Sequence, residues 1–310
     1  MTTPLADGLL TSPYVSVPEF LAAPTWLDNQ DLIPGGTKDQ QTDELYNVLL
    51  RASGWASRIA EQPLHAHTVI WQDRCPVDKW GNIYIVPPHN PVRQVNAIAY
   101  GSSFQNLSLI SNLQAQLWIE DQKTIIVSQV PNGGAYLGSL QFGGTRPGAD
   151  SVYVQYSYVA GFCTTTMTAA ANAAASQVTV ADPTGLQPPV TGGLLGTIPG
   201  SVARIWDPGL EEAVQVATGW TAGTNPVQLA SPLQNNHGAG ASLSEFPPEV
   251  HQAIYELAIG YLCRDDVSDE EPYSSSPFGP TLRESHSGGK AGGIIDNARE
   301  VLLRYRPLVH

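Results

Sequence analysis

Helical periodicity ends at residue 63 of this chain and returns only at residue 247. Residues 41–63 read as one amphipathic helix. Leu45, Val48, Leu49, Ala52, Trp55, Ala56 and Ile59 recur at intervals of three and four, so they share one face. Thr37 or Thr42 can cap this helix, Asp43 and Glu44 suit its positive end, Arg58 suits its negative end, and Pro63 stops it. A second helix over 248–263 carries Val250, Ile254, Leu257, Ala258, Tyr261 and Leu262 on its stripe. The core is therefore expected to rest on Leu45, Leu49, Ala52, Trp55, Ile59, Val250, Ile254, Leu257 and Tyr261. Everything between must fold with another period.

That stretch reads as strands. Ile83–Val86, Pro91–Tyr100, Leu117–Ile119, Thr124–Val127, Leu137–Phe142 and Val152–Val159 are rich in β-branched and aromatic residues, with Gly, Asn and Pro between them. The alternation breaks between Val92 and Val95. Residues 162–245 form a second β unit with strands at Gln177–Val180, Ala203–Trp206, Glu212–Val216 and Val227–Leu229, and a turn at Asp207-Pro208-Gly209. The Ala-rich run 169–175 suits a short helix or a linker. The expected fold class is α+β: a small helical bundle core with an antiparallel β segment, an inserted β-sandwich or barrel-like domain, and a flexible tail ending in a helix. The domains are a 1–14 N-terminal arm, a 15–161 plus 246–264 core, a peripheral 162–245 insertion, a 265–293 linker and a 294–310 C-terminal docking helix.

Composition narrows the function. Only 14% of residues are charged, and Lys+Arg 15 against Asp+Glu 28 gives a net charge of -13. A protein gripping nucleic acid needs a basic face, and none is written here. The 3 cysteines, Cys75, Cys163 and Cys263, are widely spaced, which suits reduced thiols and no zinc site. Met1–Asp7 lacks the basic and apolar regions of a signal peptide, and no apolar run approaches the ~20 residues of a membrane span. His65 and His67 flank Ala66 without a third metal ligand nearby. His237 lies in a plain turn. The acidic run Asp265, Asp266, Asp269, Glu270, Glu271 lacks the spacing of a calcium loop. No Gly-x-Ser-x-Gly elbow occurs. No catalytic residue, metal site or cofactor is expected, and the chain does not read as an enzyme.

The order of these segments resembles the head–tail connector (adaptor) proteins of long-tailed bacteriophages. The resemblance lies in Ile83-Tyr84-Ile85-Val86-Pro87 followed by Pro91–Ile98, in Val152–Tyr156 with Ala160-Gly161-Phe162, and in the helix Pro248–Leu262. Asn225–Leu233 and His237–Ala241 are similar to the ending of small β modules in phage structural proteins. The resemblance implies a dodecameric ring of identical subunits in the virion neck, assembled in the host cytoplasm. It implies a portal protein on one side, the next neck or tail component (a stopper) on the other, and DNA passing through without specific binding. Capsid contact would run through the inserted domain. A short apolar helix is marginal alone in water, so Ile294, Ile295, Ala298, Val301, Leu302 and Tyr305, with Arg299, Arg304 and Arg306 alongside, are expected to dock on the portal. The alternative is packing on the chain's own helix 248–263. Other readings are a stopper, capsid decoration or tail protein, or a carbohydrate-binding β-module using Trp206 and Trp220.

Overall fold

The computed structural model describes residues 10–23, 32–78, 81–110, 117–128, 151–191, 197–198, 200–262 and 290–307. The chain forms two compact units, one built on Ala66–Gly161 and the other on Leu10–His65 with Phe162–Pro307. The second unit holds both residues 162–245 and the helices.

In the second unit, α1 (Val17–Ala22) begins with a capping box between Ser16 and Glu19. Helix α2 (Lys38–Ile59) begins with another: Thr37 accepts from the Gln40 N–H, and the Gln40 side chain accepts from the Thr37 N–H at 2.8 Å. The cap brings the start of α2 three residues before the expected start at residue 41. Leu45, Val48, Leu49, Ala52, Ala56 and Ile59 are buried along one face, and Trp55 is half-buried. Ala60 and Glu61 close the helix, with Glu61 in the left-handed region at φ 55 and the Gln62 N–H reaching back to the Ser57 carbonyl. Helix α3 (Pro248–Leu262) starts on a proline, whose missing N–H costs nothing in a first turn. Val250, Ala253, Ile254, Leu257 and Ala258 are buried against α2. Helix α4 (Lys290–Leu303) lies against α3 and α2. Tyr14, at the end of the expected arm, is fully buried: its hydroxyl bonds Ser57 at 2.7 Å and accepts from the Leu64 and His65 N–H groups.

The first unit is a pair of antiparallel sheets. Strands β1 (His67–Pro76), β2 (Asn82–Ile85), β3 (Val92–Ser103), β4 (Asn106–Leu109), β5 (Leu117–Glu120), β6 (Thr124–Ser128) and β7 (Ser151–Ala160) pair in the orders β1-β7-β3-β4 and β2-β6-β5. Val69, Ile83, Ile85, Ile98, Ile125, Val127, Val154, Tyr156 and Tyr158 share one core. The β3–β7 register shifts between Val92 and Gln94 and again between Val95 and Ala97, where the apolar alternation breaks. The expected strand at Leu137–Phe142 lies outside the described residues.

Residues 162–245 hold β8 (Thr164–Thr166), β9 (Gln177–Val178), β10 (Val190–Thr191), β11 (Thr197–Ile198), β12 (Val202–Trp206), β13 (Glu212–Gln215), β14 (Val227–Gln228) and β15 (Ser242–Ser244). One sheet runs β13-β12-β15-β8, beside the two-stranded pairs β9–β14 and β10–β11. Met167, Val178, Ile205, Val214, Trp220, Val227, Leu233 and Leu243 fill its own core. The Ala-rich run 169–175 forms neither a helix nor a strand; it is a loop held by the backbone pair Ala171–His237. The fold class is α+β with mostly antiparallel sheets. A helical bundle as the core of the whole chain is not shown: among the described residues one of the three apolar clusters is largely helical, and the two β segments have cores of their own.

Candidate functional site

The C-terminal helix is where the sequence placed partner binding, and its stripe faces inward. Ala298 and Leu302 are fully buried, and Ile295, Val301, Leu303 and Tyr305 pack half-buried against the same cluster as Leu49 and Leu257. Ile294 is half-buried and Arg299 is exposed. Gly260 on α3 makes the seat: a Cβ there would lie 2.6 Å from Ile295 Cγ1 and 2.8 Å from Cδ1. Polar contacts lock the far end. The Tyr305 hydroxyl donates to Glu249 at 2.9 Å, and the Gln62 amide donates to the Tyr305 carbonyl. Arg306 donates to the Ile59 carbonyl at 3.1 Å and pairs with Glu61. Burial, with the Glu249 carboxylate beside it, pushes the Tyr305 hydroxyl above its ordinary range. The expected portal-docking stripe is therefore covered by the chain's own α2 and α3 in this conformation. Arg304, just past the end of α4, pairs with Glu300, leaving Arg299 and the Arg304–Glu300 pair on the outer face. The tether and acidic run over 265–289 lie outside the described residues.

The two tryptophans offered for carbohydrate do not form an open aromatic platform. Trp220 is buried, its indole N–H donating to the Pro226 carbonyl at 3.2 Å. Trp206 stacks flat on His251 of α3, ring centroids 4.0 Å apart, and the Arg204 guanidinium lies 5.2 Å from its ring centre. His251 in turn lies 2.6 Å from Glu19 of α1, both buried. Neither His251 Nε2 nor the Glu19 oxygen facing it makes a hydrogen bond, so the two groups meet by proximity alone. Period-2 patterning showed Trp206 on a strand but not which neighbour would cover it.

Among the described residues the histidines meet structural partners. His65 meets the Tyr14 hydroxyl at 3.1 Å. His67 and His89 face each other, Nε2 to Nδ1, at 3.0 Å. Burial first, and the His67 ring second, hold His89 down at about 4. Among the described residues no group of three or more His, Cys, Asp or Glu side chains is placed to hold a metal ion. Cys75 and Cys163 are buried thiols, and burial pushes Cys75 up to about 12. No described helix is long and apolar enough to cross a membrane.

One polar cluster escaped the sequence reading. His237, expected in a plain turn, is fully buried between two carboxylates: Nδ1 lies 3.2 Å from Asp207 and Nε2 lies 2.6 Å from Glu212. Burial alone would push the Glu212 carboxyl up. Bonds from the Gln234 N–H, the His237 ring and the Asn235 N–H outweigh it and hold the group below its usual range. Asp207 also accepts from the Gly238 N–H at 3.2 Å. The three residues are 25 and 30 positions apart in sequence, so no local spacing marks them.

No family model matches the chain, and no curated protein matches its sequence. A solved structure described as the neck of an empty GTA particle computed with C6 symmetry is similar over 97% of this chain and 97% of its own. The identity is 13% and the TM-score 0.33, too slight a likeness to fix the fold or the role.

Proposed function

We propose that this chain is a virion structural protein of the neck, a head–tail adaptor that assembles into a ring around the DNA path. The observation that carries the reading is where the resembling residues fall. Ile83–Ile85 form β2, Val92–Ile98 open β3 after Pro91, Val152–Ala160 lie on β7 and end at Gly161, and Pro248–Leu262 form α3. Each fragment occupies the element type that the adaptor pattern asks of it. The acidic balance of -13 suits a lumen that lets phosphate slide. In this reading the chain has no catalytic role and no cofactor; its partners are its own copies, a portal protein and the next neck component. A portal contact through Ile294, Ile295, Ala298, Val301, Leu302 and Tyr305 requires α4 to leave α3. A contact through Arg299 and the outer face does not.

The test is assembly. Mass in solution and negative-stain images of the purified chain, alone and mixed with portal protein, should show a closed ring of about twelve copies that co-purifies with portal. A monomer that binds neither portal nor itself sinks the reading. Binding to capsid protein in place of portal turns it toward a decoration role.

A further inference from the structure

Three loops of the 162–245 segment converge on His237. The β12–β13 turn brings Asp207 and Glu212. The 234–238 segment brings the ring itself, with the Gln234 and Asn235 N–H groups on Glu212 and the Gly238 N–H on Asp207. The Ala-rich loop joins through the backbone: Ala171 and His237 exchange both bonds, at 2.8 and 3.0 Å, and the Ala173 N–H donates to the Asn236 side chain at 2.7 Å. Asp207 and Glu212 are the charged side chains paired with the ring among the described residues. A neutral imidazole has one N–H and one bare lone pair. Between two carboxylates, the bare nitrogen would face an acceptor with no proton between them, and the ring itself has no exposed surface. The doubly protonated ring donates at both ends and offsets one of the two negative charges. We propose that His237 is a buried imidazolium, a proton-held node that fixes the Asp207–Glu212 turn, the 234–238 segment and the Ala-rich loop in one arrangement.

Removing the proton, or either carboxylate, should release these loops together while the strands stay paired. The experiment is ¹⁵N imidazole NMR on the full chain at pH 7.5, with the His237 signal assigned from its shift in Glu212→Gln and its loss in His237→Gln. Protonation of both ring nitrogens is expected, and a single protonated nitrogen overturns the proposal. Hydrogen exchange supplies an independent readout. In Glu212→Gln the Gln234, Asn235 and Gly238 amides should exchange roughly ten-fold faster or more, since a charge-assisted bond is lost. The Ala203–Ile205 strand amides should not change. Equal protection at all these amides also overturns it. If His237→Gln does not fold, the wild-type spectrum and Glu212→Gln decide alone.

Discussion

Replacing Gly260 by alanine sets two opposed effects against each other at the seat of α4. Glycine inside a helix costs about 0.5–1 kcal/mol against alanine, so in an isolated α3 the change would stabilise. In the folded chain the new Cβ would sit 2.6 and 2.8 Å from two atoms of Ile295. Carbon pairs prefer about 3.5–4 Å, and overpacking of this kind costs about 1–3 kcal/mol. The balance is a loss of up to about 2 kcal/mol. It should fall on α4, because relief requires Ile295 to rotate out of its seat or its helix to shift. Urea unfolding gives the total, and amide exchange in α4 gives the local part. Adding Ile295→Ala to Gly260→Ala removes the clash and should recover the helix gain, with a coupling of about 1–3 kcal/mol between the sites. If Gly260→Ala alone stabilises by the full helix gain and leaves α4 protection untouched, the seat described for Ile295 is wrong.

Other outcomes follow from single contacts. His89 is held at about 4 against an ordinary 6.5. The unfolded chain therefore binds the extra proton first, and stability present above pH 6.5 should fall as pH drops toward 4. Discounted for partial exposure, the loss is about 2–3 kcal/mol; His89→Gln should flatten that slope in pH-dependent denaturation, and an unchanged slope would falsify the assignment. The Tyr156 hydroxyl is buried without a hydrogen-bond partner, so Tyr156→Phe should be neutral or stabilise by about 1–2 kcal/mol in thermal melts; a clear loss would mean that a water serves it. Trp206→Ala should cost about 3–5 kcal/mol by stripping the indole from His251, and a cost below about 1 kcal/mol would show that the stack does not tie β12 to α3.

Much of the framework could be read without coordinates where a signal is local. The α2 stripe at Leu45, Leu49, Ala52 and Ile59, the Thr37 cap and the Pro248 start depend on neighbours within a turn or two, and the structure shows each in place. The break between Val92 and Val95 marks the register shift of β3 for the same reason. What stayed hidden depends on distant partners. Stripe residues such as Ala298 and Leu302 state that α4 must be covered, but not by what, and Gly260 looks like any helix glycine until Ile295 lies over it. The carboxylates around His237 lie on a turn and a strand start that alternation alone describes as solvated. Among the two-residue strands of 162–245, Gln177–Val178 and Val227–Gln228 lie in runs whose alternation marks them, whereas Val190–Thr191 and Thr197–Ile198 carry no such pattern.

The pairing of α2 with α3 closes a gap of about 190 residues. A ribosome adds roughly 5–20 residues each second, so α2 leaves the exit tunnel some 10–40 seconds before α3 exists to cover it. Both β segments are made in that interval and can fold in the meantime, since each buries a core without help from Leu45 or Leu49. The apolar face of α2 thus waits uncovered through much of synthesis, and that nascent helix is where a chaperone would be needed and where aggregation would begin.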